Sequence, residues 1–424
     1  MRNEASEIKN VEALEILDSR GNPTVMATVT LESGVKGRAS VPSGASTGAY
    51  EAFELRDGDK GRYLGRGVQN AVKNVNTAIA SALVGVCAHE QQRIDSIMIA
   101  LDGTRNKSNL GANAILSVSL AVCRAAAAEL GLPLFRYIGG AGANSLPIPM
   151  MNVINGGAHS DNPLDFQEFM IIPHGAESYS EALRTGTEVY HNLKAILKTR
   201  ALSTSLGDEG GFAPDIADER AAIELIINAI EKAGYRPGKD VSIGLDVAAS
   251  EWYKSDTGNY FLPKSKRIMT SAELSDVLFS LTKDYPVISI EDGQGEDDIS
   301  GWRSLTERLS PIMLVGDDLF VTSSDRVLMG AREKIANAVL IKPNQIGTLS
   351  EVQETVSSAS ALGYRSVMSH RSGETDDSFI ADLSVALGCG FIKTGAPARA
   401  ERLAKYNRLL EIESELFSPV FPAF

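Results

Sequence analysis

The sequence predicts an α/β protein in which a closed C-terminal βα barrel with an irregular, partly antiparallel start follows a smaller N-terminal α+β domain. Three observations carry that prediction. The chain has 424 residues, which suits two domains better than one. From Val241 onward, strand-like and helical stretches alternate, and that alternation implies a parallel sheet covered by helices. Six apolar runs in the same half each end on a charged residue or an imidazole: VSIGL-Asp246, PVISI-Glu291, IMLVG-Asp317, NAVLI-Lys342, SVMS-His370 and FI-Lys393.

The elements follow in order. NPTVMATVTLES and VKGRASV read as strands, followed by a loop of small residues at Val41–Gly48. Helical stretches are expected at about Gly67–Gly85 and Asn113–Leu130. The second is nearly all alanine, leucine and valine. It is read as too short and too interrupted by Ser and Arg for a membrane span, and therefore as a buried helix. Gly139–Pro147 (GGAGANSLP) is glycine-rich and ends in proline, which places the domain boundary there, giving domains 1–140 and 141–424. MMNVI and FMIIP are separated by too little chain for a helix, so the barrel should start antiparallel. A long amphipathic helix over Tyr179–Thr199 and a polar loop, LGDEGGFAP, come next. The apolar tail FSPVFPAF is expected to pack on the barrel or on a partner subunit.

Composition excludes several classes. Hydrophobic content of 43% and charged content of 22% are those of a soluble globular protein. A formal net charge of −13 argues against a nucleic-acid binder, which would carry a basic face. Cys87, Cys123 and Cys389 form no CxxC pair or disulfide framework, which suits a reducing cytoplasm. The first residues contain no long apolar stretch, so neither a signal nor a transit peptide is expected. A cytoplasmic location is the expectation, and a secondary cell-surface or secreted pool is compatible with it.

The six run-ending residues are 45, 26, 25, 28 and 23 positions apart. From the second onward that is about one strand, one loop and one helix. In a closed βα barrel such strand ends converge on one face, where the chemistry sits. Asp246, Glu291 and Asp317 offer oxygen ligands only, which suits Mg²⁺ or Mn²⁺ better than Zn²⁺. Lys342 and Lys393 sit in or beside apolar strands, and a buried lysine near other cations can act as a base. Arg371 and Ser372 supply a guanidinium fork and a hydroxyl suited to phosphate oxygens. Glu209, between Asp208 and two glycines, is a candidate general acid, and Ser43 and Ser46 are candidate ligands on a lid. With all ionised, Glu168, Glu209, Asp246, Glu291 and Asp317 outweigh Lys342, Arg371 and Lys393 by about two charges. A unit pair ~4 Å apart is worth about 4 kcal/mol at an effective dielectric near 20, so two divalent ions would reverse the sign of the site.

These residues lie in motifs that run through nearly the whole chain: LDSRGNPTV, VPSGASTG, LDGTRNKSNLGANAILSVSLA, NVINGGAH, QEFMI, GDEGGFAP, GLDVAASE, ISIED, VGDDLFVT, IKPNQIGTLSE, SHRSGET and IKTGAPAR. On them the sequence resembles the enolases of bacterial type, the glycolytic 2-phosphoglycerate dehydratases. The resemblance implies an enolase-type TIM-like barrel and a hydro-lyase using two Mg²⁺ per site. It implies that Lys342 takes the α-proton of 2-phosphoglycerate. Glu209, with Glu168 beside it, would assist loss of hydroxide to give phosphoenolpyruvate. Asp246, Glu291 and Asp317 would hold the first Mg²⁺, and Ser46 would help with the second when the lid closes. Arg371 and Ser372 would hold phosphate and Lys393 the carboxylate, with Gln167, His159 and His370 lining the pocket. It also implies a homodimer, but with altered inter-subunit ion pairs. Leu14 and Met26 stand where the family usually has Arg and Glu, and Glu411 and Ser414 where it usually has Arg and Glu. Glu411 would then need water or a new partner. Two other readings are a related barrel lyase or racemase, and a non-catalytic paralogue used for adhesion or assembly. The intact GDEGGFAP, SHRSGET and lid motifs argue against both.

Overall fold

The computed structural model describes residues 4–44 and 48–422. Three antiparallel strands open the chain: β1 (Ile8–Leu17), β2 (Pro23–Leu31) and β3 (Lys36–Ser40). On β2, residues Val25, Ala27, Val29 and Leu31 are buried while Met26, Thr28 and Thr30 between them are partly exposed, the alternation of a half-buried sheet. Against this sheet pack α1 (69–83, with a wider turn at Val75–Ile79), α2 (Gln91–Asp102) and α3 (Ala112–Glu129). Helix α3 is long and apolar enough to cross a membrane by length and composition, but 83% of it is buried inside the protein. Gly37 on β3 lets it approach: a β-carbon there would lie 2.1 Å from the Ala121 carbonyl. A short helix, α4 (Leu134–Gly139), leads out of this region.

The rest is an eight-stranded closed barrel. It begins β4 (Ile148–Asn155), β5 (Glu168–Ile172), α5 (Tyr179–Thr199), α6 (Glu219–Lys232) and β6 (Ser242–Asp246). Strand β5 is antiparallel to both β4 and β6, as the short β4–β5 connection requires. A small sheet of β7 (Tyr253–Lys254), β8 (Asn259–Phe261) and β9 (Ile268–Thr270) precedes α7 (Ser271–Asp284). Regular units follow: β10 (Val287–Glu291), α8 (Ile299–Leu309), β11 (Met313–Gly316), α9 (Ser324–Glu333), β12 (Ala338–Ile341), the short α10 (Pro343–Ile346) and α11 (Leu349–Ala361). Then come β13 (Arg365–Ser369), α12 (Phe379–Ala386), β14 (Phe391–Lys393) and α13 (Ala400–Glu415). Parallel pairing runs from β6 through β10–β14 to β4, which closes the ring. Ile148, Met150, Met170, Ile172, Met313, Val315, Leu340, Val367 and Phe391 fill the interior as a separate apolar core.

Helix α6 and the β7–β9 sheet were not anticipated, nor was β1 read as a strand. The tail packs on its own chain, where the Val420 amide donates to Asn144 O at 2.8 Å and Leu146 N to Val420 O at 2.8 Å. Glu411 does have a partner: Arg408 Nη1 lies 2.9 Å away on the same helix. Leu14 is 61% exposed and pairs across the sheet with Met26.

Candidate active site

The six run-ending residues all lie at one end of the barrel. Asp246, Glu291 and Lys393 are the last residues of β6, β10 and β14, and Asp317, Lys342 and His370 directly follow β11, β12 and β13. Glu168 joins them for the opposite reason. Because β5 runs antiparallel, its first residue lies at this end and pairs with Asp246. The resulting cavity is small, with about 30 Å³ open to a water-sized sphere, and is lined by His159, Gln167, Glu168, Glu209, Asp246, Asp317, Lys342, Ser369, His370, Arg371, Ser372 and Lys393. Glu291 is not part of that lining and meets it through Lys393 Nζ, 2.8 Å from its Oε1. Ser46 falls outside the described residues. Ser43 is turned away from a ligand role: its hydroxyl donates to Asp18 Oδ2 at 2.9 Å, and its backbone pairs with Gly373.

Each of the two lysines in the site has its own carboxylate partners. Lys393 Nζ lies 3.0 Å from Asp246 Oδ2, 2.8 Å from Glu291 Oε1 and 3.3 Å from Glu168 Oε1. Burial works against the Lys393 charge, but Asp246, Glu168 and Glu291 outweigh it and hold the ammonium well above its ordinary range. The Lys342 ammonium donates to Asp317 Oδ2, and Gln345 Nε2 donates to Asp317 Oδ1 at 2.9 Å. Burial opposes the Lys342 charge too, and Asp317 more than compensates. Gln345 is itself fixed, because its Oε1 accepts from the Thr322 hydroxyl at 2.8 Å.

Carboxylates exceed cations here. Burial and then Asp246 push Glu291 up to about 8 despite Lys393. Asp292, Asp317 and Asp318 each bring an oxygen within 4.8 Å of the other two. Burial and Asp317 push Asp318 up to about 8. These are carboxylates short of positive charge, in an oxygen-only donor set, and a hard divalent cation fits that deficit; of the three expected ligands Asp317 belongs to this group, while Asp246 and Glu291 are gathered on Lys393.

Across the cavity His159, Glu168 and Glu209 cluster, each with an atom within 4.8 Å of the other two. Burial and the Glu209 charge raise Glu168 well above the carboxylate range. Burial also acts to raise Glu209, but His370, His159 and Arg402 together hold it well below that range. The two carboxyls are therefore driven apart, with the proton on Glu168 and the charge on Glu209. Asn152 Nδ2 donates to Glu209 Oε2 at 3.1 Å, and His370 Nε2 lies 3.5 Å from the same oxygen. Buried polar atoms without partners gather here, among them Glu168 Oε2, His159 Nδ1 and Asn152 Oδ1. Such atoms mark where water or a ligand completes the bonding.

Arg371 adds a cationic wall. Its guanidinium grips Glu51 with Nη1 at 3.0 Å from Oε2 and Nη2 at 3.2 Å from Oε1, and Nη1 also donates to Asn344 Oδ1 at 3.1 Å. Glu51, Asn152, Gln345 and Arg402 were not singled out from the sequence. Gln345 stands within a quoted motif, IKPNQIGTLSE, three residues after Lys342, and that spacing on a helical turn was its available signal. Arg402 had none, because it sits on the outer helix α13 amid an ordinary charged pattern.

Two protein-family models match the chain. The model described as Enolase, N-terminal domain, covers residues 8–138, and that described as Enolase, C-terminal TIM barrel domain, covers residues 143–421.

Proposed function

The chain belongs to the enolase family and is an enolase-type lyase, and from that premise we propose that it catalyses the reversible dehydration of 2-phospho-D-glycerate to phosphoenolpyruvate. One observation carries the reading. A single cavity joins Lys342, held by one carboxylate, a carboxyl pair with unequal proton affinities, and the Arg371–Ser372 wall suited to phosphate.

Lys342 Nζ takes the proton from C2 of the substrate. It can do so only as the neutral amine, so the ammonium that Asp317 holds must first be released and lose a proton to solvent; the residue that masks the base is also a proposed cation ligand. Mg²⁺, two per site, would be held by Asp246, Glu291 and Asp317 with Ser46 as a further ligand, and when bound supplies positive charge to the substrate carboxylate as its negative charge grows. Lys393, permanently charged among its carboxylates, faces the same carboxylate. Arg371 and Ser372 hold the phosphate, while Gln167, whose amide donates to Asp246 Oδ2 at 3.2 Å, and His159 close the sides. The C3 hydroxide leaves as water with a proton from the Glu168–Glu209 pair: Glu168 carries it at rest and passes it to Glu209, which delivers it.

The decisive assay mixes the protein with 2-phosphoglycerate and follows the ultraviolet absorbance of phosphoenolpyruvate. Product should form with Mg²⁺ and not with EDTA, and 2-phosphoglycerate should bind tightly only when Mg²⁺ is present. No product with Mg²⁺, or tight substrate binding in EDTA, sinks the reading. The chain is further proposed to form a homodimer whose interface replaces ion pairs with the Leu14–Met26 surface. Dissociation that tightens as salt rises would support this, and a strongly salt-weakened dimer would oppose it.

A further inference from the structure

The guanidinium of Arg402 is fully buried, at 0% exposure, under the catalytic end of the barrel. It has four Nη hydrogens, and four acceptors lie around them. Nη1 is 2.7 Å from His370 Nδ1 and 2.6 Å from Arg371 O, and Nη2 is 3.0 Å from Asp208 O and 2.6 Å from Ser372 O. Every Nη hydrogen is therefore assigned. A guanidinium can only donate, so His370 Nδ1 must accept and can carry no proton. We infer that Arg402 is a positioning residue that fixes His370 as the neutral imidazole with its proton on Nε2, aimed at Glu209.

The same four bonds also set the distance across which that proton acts. Asp208 belongs to the loop that carries Glu209, and Arg371 and Ser372 belong to the loop after β13. Arg402 ties the two loops together, and His370 Nε2 then stands 3.5 Å from Glu209 Oε2. Protonating Nδ1 would set an N–H against an N–H and one cation against another. The groups facing the ring are Glu209 from the neighbouring loop, Glu374 from its own loop and Arg402 from α13. Burial, with Arg402 adding to it, outweighs the two carboxylates and brings His370 down to about 4. His370 is thus neutral across the working pH range. Its protonated Nε2 stands 3.5 Å from Glu209 Oε2 without a hydrogen-bond partner of its own among the described residues, where it favours the charged form of Glu209 while Glu168 keeps the proton. This inference rests on the dehydratase reading for its purpose, but the tautomer itself does not.

The test is ¹⁵N NMR of the full-length, histidine-labelled protein, with the His370 signals assigned by H370N. Nδ1 should appear as a bare, pyridine-type nitrogen and Nε2 as a protonated one, with no titration down to about pH 5.5. In R402M the ring should admit the Nδ1-protonated form and titrate near neutrality, and kcat should fall about tenfold between about pH 8 and pH 6. R402Q, whose amide can still donate to Nδ1, should keep the tautomer. A proton on Nδ1 in the unaltered protein overturns the inference, and so does an R402M protein with an unchanged ring spectrum and pH profile. If R402M does not fold, the spectrum of the unaltered protein decides alone. Absence of dehydration with the expected ring spectrum would count against the function and not against Arg402. Dehydration with the other tautomer would count the opposite way.

Discussion

Lys342 and Lys393 end strands separated only by β13, and as sequence they look alike: a lysine closing an apolar run. Their surroundings differ. Lys393 is held by Glu168, Asp246 and Glu291 and its side chain is 3% exposed. Lys342 is paired with Asp317, its side chain is 13% exposed, and Arg371 and Lys393 work against its charge. The same residue type is a fixed cation in one place and, in the other, an ammonium whose partner can be drawn away. What separates the two roles is the number of carboxylates the neighbouring strand ends contribute.

The sharpest way to break that contrast is Lys342→Ala. If Lys342 is the base, kcat for phosphoenolpyruvate formation falls by at least about 10³-fold, the scale of a lost general base. Exchange of the substrate α-proton with solvent should vanish with it. Retained exchange in Lys342→Ala would move the base elsewhere and end the distinction.

Lys393→Met should act first on stability. It removes the shared cation from three buried carboxylates, and breaking such a group typically costs about 3–5 kcal/mol. Urea unfolding without divalent ions should show that loss, and added Mg²⁺ should recover part of it. An unchanged midpoint would mean that the carboxylates share their charge some other way.

The pH dependence of stability tests the same excess of acid. Glu291 is raised to about 8 by burial and Asp246, and Glu168 is raised as well by burial and Glu209. A carboxyl whose folded pKa exceeds its unfolded value binds its proton better when folded. Stability therefore falls as pH rises from about 4.5, the unfolded value, towards 8, by at most about 1.4 kcal/mol per pH unit for each such proton. Asp317 and Glu374 are depressed, since Lys342 and Lys405 respectively outweigh burial, and their contribution is lost only below the unfolded carboxylate range. Saturating Mg²⁺ should flatten the decline between pH 5 and 8. A profile that rises through that window would contradict the charge excess.

How much of this was legible depended on geometry that one-dimensional patterns do or do not carry. Parallel strands deliver their last residues to the catalytic end, so Asp246, Glu291, Asp317, Lys342, His370 and Lys393 could be read as a series. Glu168 broke that rule because it begins an antiparallel strand, and only its QEFMI motif pointed to it. The short β4–β5 connection did reveal that reversal. Helix α6 was hidden behind the glycine loop before it, and the β7–β9 strands are two or three residues long, too short for a period to register. Arg402 was illegible for a different reason. Its partners are three backbone carbonyls and one imidazole nitrogen, and a backbone carbonyl leaves no trace in residue identity.

The smallest effect separates the two lysines most finely. Gln345 Nε2 donates to Asp317 Oδ1 at 2.9 Å, so Asp317 is oriented from one side by an amide and from the other by Lys342. Gln345 Oε1 accepts from Thr322, whose oxygen in turn accepts from the Lys342 backbone amide at 2.8 Å. Gln345→Leu removes the amide that serves Asp317 Oδ1 and, at 3.3 Å, Glu51 Oε1, while the Thr322 hydroxyl can still turn to Leu340 O at 3.3 Å. Stability should drop by about 1–3 kcal/mol. Magnesium affinity, measured by calorimetry, should weaken about 10–100-fold, as when a group orienting a metal ligand is lost. Among the described residues, Lys393 and its three carboxylates make no hydrogen bond to Gln345, so Gln345→Leu should leave the pH-dependent decline in stability as it was. Loss of metal affinity together with loss of that decline would mean that the two halves of the barrel mouth are one charge network rather than two.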